Sequence, residues 1–119
     1  MNWFWAHFFT NLLIPTIMII ASGWLLFFTP QKINSFFGYR TTRSMKNTDT
    51  WIYAQKLSGK IMFIIGILVF FITIIIQIPY YNSDDNTIST LGMIITFSQI
   101  IIILISIIPV EIALKKKFD

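Results

Sequence analysis

The chain has 119 residues, of which 55% are hydrophobic and 12% are charged, and its mean hydropathy is +0.73. Roughly a quarter of the residues in a soluble domain are charged, so this composition argues against a soluble globular enzyme. It also excludes a disordered chain, which needs low hydrophobicity and high charge. The absence of cysteine and the single histidine, His7, exclude disulfides, thiolate nucleophiles and histidine metal clusters within the chain. The class of protein that is still compatible with this composition is a small protein that crosses the membrane several times.

Three long stretches contain no Asp, Glu, Lys or Arg, namely residues 1–31, 61–83 and 86–110. A helix needs about 20 apolar residues to cross the hydrocarbon core of a bilayer, and each stretch is long enough. The isoleucine and phenylalanine of the later stretches would favour strands in a soluble protein. Strands are usually only ~4–8 residues long, however, and an open strand leaves its backbone unpaired in lipid. We therefore predict an all-α membrane protein with three transmembrane helices, near residues 9–29, 60–79 and 88–110.

The first stretch is expected to be retained in the mature protein. It has no basic residue at its start, and its apolar part is longer than the h-region of a secretory signal peptide. Pro15 lies inside the first predicted span and predicts a kink there, because proline lacks the backbone N–H that a helix uses. Pro109 predicts the same near the end of the third span.

Polar and small residues inside the predicted spans indicate how the helices pack. Gln77 and Gln99 are expected to form hydrogen bonds between helices, as packing contacts rather than as a transport path. Residues 21–23, Gly59 and Gly66 are small, and small residues let two helices approach closely.

The distribution of basic residues predicts the orientation of the chain in the membrane. The net charge is +4, and six Lys or Arg residues lie in residues 32–60 with one acid, while residues 115–117 are three lysines. The link between the second and third spans contains Asp84 and Asp85 and no base. Basic loops face the cytoplasm, so we expect residues 32–59 and the C-terminus inside and the N-terminus and the acidic link outside. In this setting the positive charge indicates anionic lipid rather than nucleic acid.

A turn and a short helix are predicted between the first two spans. Gly38 follows two phenylalanines and can adopt positive φ, which favours a turn. Asn47 or Thr48 can cap a helix that has Asp49 in its first turn. Apolar or small residues then recur at helical spacing. We predict a short cytoplasmic interfacial helix that turns into the second span near Gly59.

The same segment resembles the signature of the SdpI family of small bacterial membrane proteins. The matching residues are Asn34, Gly38, Tyr39, Arg40, Thr41, Ser44, Met45, Lys46, Asn47, Trp51, Ala54 and Gly59. The flanking spans fit the three-span core that is common in that family. The resemblance therefore implies a single membrane domain over residues 1–119, similar to the C-terminal core unit of a longer immunity protein, with residues 32–59 as its cytoplasmic signature segment.

The resemblance also implies a function. The named member of the family protects producer cells from a secreted peptide toxin that damages the membrane, and it sequesters a transcriptional repressor when toxin is bound. We expect a multi-pass protein of the bacterial cell membrane that gives toxin resistance and signals to a cytoplasmic regulator. Two alternatives need no toxin, namely a small transporter or channel subunit and a scaffold that binds anionic lipid. The expected partners are membrane lipids, a peptide toxin, a regulator protein and further copies of the chain, without nucleic acid.

Arg40 is the residue that we single out within the signature. Its planar guanidinium can bind a carboxylate or phosphate with two hydrogen bonds, on a lipid, on a toxin or on Asp49, and the alternative is a base that only sets topology. Trp51 either stacks on Arg40 or anchors the chain at the membrane interface. Glu111 is an ionisable group near the end of a span, which suggests function, or it pairs with Lys115 one helical turn later.

The remaining candidate residues are expected to organise the segment. Asn34 and Asn47 are expected to bond the loop to itself, and Gln55 stands where Asn or His is common in the family. The full set of candidates is Asn34, Gly38, Tyr39, Arg40, Thr41, Ser44, Lys46, Asn47, Trp51 and Gly59, with Gln55 and Glu111 added. We expect no enzyme activity, metal or cofactor, because the sequence contains no phosphate-binding loop, no HExxH and no Ser–His–Asp set.

Overall fold

Helices form nearly all of the chain outside one loop. The computed structural model describes residues 3–119, and within that range it contains no strand. The helices in chain order are α1 (Trp3–Asn11), α2 (Leu13–Phe27), α3 (Thr48–Gln77) and α4 (Asp85–Phe118). A single 3-10 turn over Ile78–Tyr80 follows α3. Three segments are long and apolar enough to cross a membrane, Trp3–Phe27, Thr48–Tyr80 and Asp85–Phe118, which confirms the prediction of an all-α protein with three spans.

The first span is interrupted at Leu12, where α1 ends and α2 begins. Pro15 lies three residues later and cannot donate a hydrogen bond to the carbonyl of Asn11, four residues before it. That carbonyl instead accepts a hydrogen bond from Nε2 of Gln99 in α4, at 3.0 Å. The interruption corresponds to the kink that Pro15 predicts, and a side chain of another span replaces the lost backbone bond. At Pro109 α4 continues as one helix, and a kink at that position stays a prediction.

Helix α3 begins with a capping box. The Asn47 Oδ1 accepts from the Thr50 backbone N–H at 2.9 Å, and the Thr50 Oγ1 accepts from the Asn47 backbone N–H at 3.1 Å. From this start the helix runs without a break to Gln77. The separate interfacial helix is therefore not confirmed, since residues 48–59 are the first turns of the helix that forms the second span.

Gly59 explains why the helix does not turn at that point. A Cβ at Gly59 would lie 2.9 Å from the backbone N of Leu26 and 3.0 Å from the backbone O of Ser22. The glycine thus allows α3 to approach the backbone of α2 rather than to change direction. At Gly66, one to two turns further along, a Cβ would lie 3.0 Å from Cγ1 of Ile19. The predicted role of small residues in helix packing is confirmed at both positions.

A buried polar cluster joins all three spans. Nδ2 of Asn11 donates to Oε1 of Gln77 at 2.8 Å, and Nε2 of Gln99 donates to Oγ1 of Thr73 at 3.2 Å. The four side chains belong to residues that are at most 5% exposed. Polar groups in an apolar environment are costly unless they are hydrogen-bonded, so these bonds favour one register of the three helices. The expectation that Gln77 and Gln99 bond between helices is confirmed.

The two ends of the bundle differ in character. At one end, which we call the acidic end, the Tyr81 ring lies 5.2 Å from the ring of Phe4 and 6.0 Å from that of Trp5, beside the link that contains Asp84 and Asp85. At the other, the basic end, the loop of residues 28–47 meets the C-terminus. We call this loop the cap loop. The bundle is 52 Å long, which exceeds the roughly 40–45 Å of a bilayer with its headgroups.

Candidate functional site

The cap loop is fixed by one buried side chain, that of Gln55. Its Oε1 accepts from the backbone N–H of Tyr39 at 2.7 Å, and its Nε2 donates to the backbone O of Tyr39 at 2.7 Å. Gln55 is fully buried and Tyr39 is 7% exposed. A buried backbone group without a partner costs about 1–3 kcal/mol, and here a single amide satisfies both groups of one residue. We call this pair of bonds the Gln55 clamp.

Gly38 occupies a position that only glycine fits. Its φ is +110°, in the region that side-chain-bearing residues rarely adopt. A Cβ at this position would also lie 2.6 Å from Oε1 of Gln55. The turn that Gly38 was expected to form is present, and its close contact with Gln55 places Tyr39 in the clamp.

Trp51 anchors the start of the cap loop. Its side chain is fully buried, and its Nε1 donates to the backbone O of Pro30 at 2.9 Å. Neither alternative from the sequence describes this position, because a fully buried ring is not an interface anchor and the ring does not stack on Arg40. In residues 3–119 the cation–π contacts are those of Lys117, with the rings of Tyr53 and Phe118.

A hydroxyl network holds the second half of the cap loop. Oγ of Ser44 accepts from the backbone N–H of Thr41 at 2.8 Å, and the backbone N–H of Ser44 donates to Oγ1 of Thr41 at 3.1 Å. Oγ1 of Thr50 donates to the backbone O of Ser44 at 3.1 Å, which connects the network to the capping box of α3. Ser44 is fully buried. These bonds make the loop and the start of α3 one unit.

The first half of the cap loop turns at Asn34. Its Oδ1 accepts from the backbone N–H groups of Phe36 at 3.0 Å and Phe37 at 2.8 Å. A side chain that bonds its own backbone two or three residues later is a common way to make a turn. The expectation that Asn34 bonds the loop to itself is confirmed, whereas the Asn47 side chain caps α3 instead.

Tyr39 connects the cap loop to the third span. Its ring packs in a buried cluster with Ala54 of α3 and with Val110 and Leu114 of α4. The Tyr39 hydroxyl and Oε2 of Glu111 are both buried, and the hydroxyl interacts with the Glu111 carboxyl group. Burial, and after it the charge of Glu111, raises the pKa of Tyr39. The phenol therefore stays protonated at neutral pH and can donate to the neighbouring Glu111.

The ion pairs at the basic end involve the C-terminal residue. Asp119 pairs with Nε of Arg43 at 3.6 Å and with Nζ of Lys46 at 3.8 Å. These are the ion pairs of residues 3–119, so the pairs proposed from the sequence for Arg40 with Asp49 and for Glu111 with Lys115 are not formed. Arg40 is exposed, and its guanidinium donates to the backbone O of Ser35.

The structure gathers most of the candidate residues around the Gln55 clamp. Those that meet there or in the adjoining network are Gly38, Tyr39, Thr41, Ser44, Asn47, Trp51, Gln55 and, from α4, Glu111. Three lie on the outer side of the loop, namely Asn34, Arg40 and Lys46, and Gly59 lies at the crossing of α2 and α3. Sequence reasoning missed Thr50 and Asp119 as members. The usual sequence signal of a capping box has Glu or Gln where this chain has Thr50, and nothing local indicates the role of Asp119.

The side chains around this site are able to bind polar or charged groups. A polar cavity of about 790 Å³ opens beside the loop, and it is lined by Thr41, Thr42, Arg43, Lys46, Glu111 and Asp119. Two bases and two acids balance their charges there. Within the described part of the chain no group of three or more His, Asp or Glu residues is placed to share a metal ion.

Comparison with known proteins identifies the family. The uncharacterized protein YfhL of Bacillus subtilis (strain 168) is 38% identical over 60 residues, which are 50% of this chain and 54% of that relative. The chain thus spans about half the length of the curated relative that it matches. No solved structure matches the chain. The model of the SdpI/YfhL protein family matches residues 31–110, which include the cap loop from Gln31 onward, all of α3 and most of α4. The chain therefore belongs to the SdpI/YfhL family of membrane proteins.

Proposed function

We propose that this protein gives a bacterial cell immunity to a membrane-active peptide toxin. The observation that carries the proposal is the family match over residues 31–110, which contains the whole Gln55 clamp. The resemblance of residues 34–59 to the family signature implies this function, and the clamp gives the signature residues a common physical task. They hold a rigid cap on one end of a three-span bundle.

The second part of the proposal is a signal to a cytoplasmic regulator. Tyr39 lies in the Gln55 clamp and also packs against Val110 and Leu114 of α4. A toxin that binds one arrangement of the helices more tightly than another shifts the population toward that arrangement. Because Tyr39 contacts both the loop and α4, such a shift changes how the outer surface of the cap loop is presented to a regulator.

The experiment measures the survival of a sensitive bacterium that expresses the chain. Cells are challenged with a panel of secreted membrane-active peptides, and membrane depolarisation is followed with a potential-sensitive dye. We expect the wild-type chain to raise the lethal concentration of at least one peptide about tenfold or more. Gln55→Ala should remove that protection, because it leaves the buried backbone N–H of Tyr39 unpaired and its carbonyl with only the bond from Oγ of Ser44, at 3.2 Å.

Lys56→Ala is the matched control. Lys56 is the next residue of α3 and is exposed, so its loss should leave protection unchanged at equal membrane level. A wild-type chain that protects against none of the peptides, at a verified membrane level, would contradict the proposal. Equal protection by the wild type and by Gln55→Ala would mean that the Gln55 clamp is not needed for the proposed immunity.

The transporter or channel alternative has less support. A transporter or channel would need polar groups that line a path across the membrane. The polar residues inside the spans are instead buried and bond in pairs, Asn11 with Gln77 and Gln99 with Thr73. Such bonds hold helices together. We propose a packing role for this cluster. If copies of the chain associate, we propose that they do so through their lipid-facing surfaces and not through this cluster.

A further inference from the structure

Two adjoining cavities run along α2 toward the cap loop. The first has a volume of about 610 Å³ and is lined by apolar groups, those of Ile17, Ile20, Ala21, Trp24 and Phe37. The second, of about 330 Å³, lies under the cap loop between α2 and the other two spans, and Arg40 lines it. Ala21 and Phe37 line both cavities. An apolar groove at membrane depth therefore leads directly to a guanidinium.

Arg40 has a charge that the described residues do not neutralise. The ion pairs of residues 3–119 join Arg43 and Lys46 to Asp119 and leave Arg40 out. The guanidinium has five N–H donors, and the bond to the backbone O of Ser35 uses one of them. Its fork geometry suits a phosphate group, to which it can donate two parallel hydrogen bonds.

The Gln55 clamp holds the backbone segment that carries both Phe37 of the groove and Arg40. Gly38 lies between Phe37 and Tyr39, and the Gln55 clamp fixes the backbone of Tyr39, the residue before Arg40. A site whose parts are already in place loses less conformational entropy when a ligand binds.

We propose that this groove binds one anionic phospholipid, with its phosphate on Arg40 and one acyl chain along α2. The groove faces lipid, since Ile17, Ile20 and Trp24 are each more than half exposed on the surface of a membrane-spanning helix. A phospholipid presents an apolar chain and a phosphate in one molecule, which matches the order of the two cavities. This site goes beyond the proposed immunity function and does not depend on it.

The experiment is native mass spectrometry of the full chain released from detergent micelles. The chain is titrated with phosphatidylglycerol and with phosphatidylcholine of identical acyl chains, and glycerol 3-phosphate is added as a competitor without chains. We expect one phosphatidylglycerol to be retained at least tenfold more strongly than phosphatidylcholine, because the choline cation cancels the charge of its phosphate and is repelled by Arg40. Glycerol 3-phosphate should not displace it, because the headgroup alone lacks the contacts of the acyl chain.

Two variants and two controls test the two halves of the site. Arg40→Gln and Ala21→Phe should each weaken retention about tenfold, the first by removing the cation and the second by filling the groove. Lys56→Gln removes a charge on α3, and Ile64→Phe adds bulk on the lipid-facing side of α3. Both controls should stay within about twofold of the wild type. Thermal unfolding in detergent checks that each variant is folded. Phe37→Ser, on the exposed loop, is a second variant that tests the groove.

Several results would overturn the proposal. Equal effects of Arg40→Gln and Lys56→Gln would mean diffuse attraction to positive charge. Unchanged retention by both Ala21→Phe and Phe37→Ser would mean that the groove is not used, and displacement by glycerol 3-phosphate would indicate a phosphate site without a lipid chain. Toxin survival is measured separately on Arg40→Gln, so that loss of lipid with unchanged survival separates this site from the immunity function.

Discussion

Gln55 is the residue on which the arrangement of the cap loop depends most directly. It bonds both the backbone N–H and the backbone O of Tyr39, and Gly38 is required beside it because of its positive φ and the close approach of Oε1. The bonds join residues that are 16 positions apart in the chain. The composition of the loop indicates a turn at Gly38, but no local pattern shows which distant side chain will satisfy the backbone of Tyr39.

Gly38→Ala should destabilise the protein by about 1–3 kcal/mol, the usual cost of a residue held in a rarely populated backbone conformation. The added Cβ would also contact Oε1 of Gln55. Gly23→Ala is the control, because a Cβ in that helix would meet only the ring of Phe63, at 3.3 Å. Unfolding free energies in detergent should therefore fall for Gly38→Ala and stay nearly unchanged for Gly23→Ala. An unchanged free energy of unfolding for Gly38→Ala would show that the loop tolerates a side chain at that position.

The pKa of Tyr39 makes stability depend on pH in the alkaline range. Burial, and then the charge of Glu111, raises this pKa above the ordinary value of 10.0. Below about pH 10 the phenol is protonated in both the folded and the unfolded chain, so this contribution to stability is fully present there. As the pH rises further, the unfolded chain loses the proton first, and the free energy of unfolding decreases.

Tyr39→Phe should make the alkaline loss of stability smaller, because phenylalanine has no proton to lose. The measurement is the free energy of unfolding of both proteins from about pH 8 to about pH 11, a range that spans the ordinary tyrosine pKa. Only the difference between the two curves is used, since lysines titrate over part of the same range. Parallel curves would mean that the pKa of Tyr39 is not raised by folding.

At the scale of the elements, the charge-free runs predict the three spans, and α3 begins before its run while α4 ends after its run. Length alone distinguishes a membrane helix from strands in the isoleucine-rich runs. The sequence could not show that residues 48–59 continue directly into the second span. A glycine such as Gly59 is compatible with a turn and also with a close contact between two helices. Only the position of α2 decides between the two, because a Cβ at Gly59 would lie 2.9 Å from the backbone N of Leu26. The inward position of Glu111 likewise depends on how α4 is placed against the cap loop.

Gly59→Ala should destabilise the contact between α2 and α3 more than Gly66→Ala does. At Gly59 the nearest atoms are backbone atoms of Leu26 and Ser22, which move only if the helices separate. At Gly66 the nearest atom is Cγ1 of Ile19, a side-chain atom that a rotamer change can displace. Overpacking of this kind costs about 1–3 kcal/mol, so we expect a loss in that range for Gly59→Ala and a smaller one for Gly66→Ala. The reverse order in detergent unfolding experiments would contradict the close contact at Gly59.

At the scale of the whole molecule, the bundle is asymmetric along its length. Asp84 and Asp85 lie at the acidic end, and all nine Lys and Arg residues fall within residues 32–60 or 115–117. An odd number of spans puts the two termini on opposite sides of the membrane. The Gln55 clamp, the charge of Arg40 and the ion pairs of Asp119 all belong to the basic end. Which side that end faces therefore decides whether a cytoplasmic regulator or the outer medium meets the cap loop.

The orientation can be measured directly, because the chain contains no cysteine. Thr42 in the cap loop and Asn82 in the acidic link are both exposed, so Thr42→Cys and Asn82→Cys each create a single accessible thiol. Basic loops are retained in the cytoplasm, so a membrane-impermeant maleimide should label Asn82→Cys in intact cells. Thr42→Cys should be labelled only after the cells are permeabilised. Labelling of Thr42→Cys alone in intact cells would show that the orientation is the opposite of the one expected. The cap loop would then lie outside, where a toxin rather than a regulator would reach it. Labelling of both would mean that the chain inserts in two orientations.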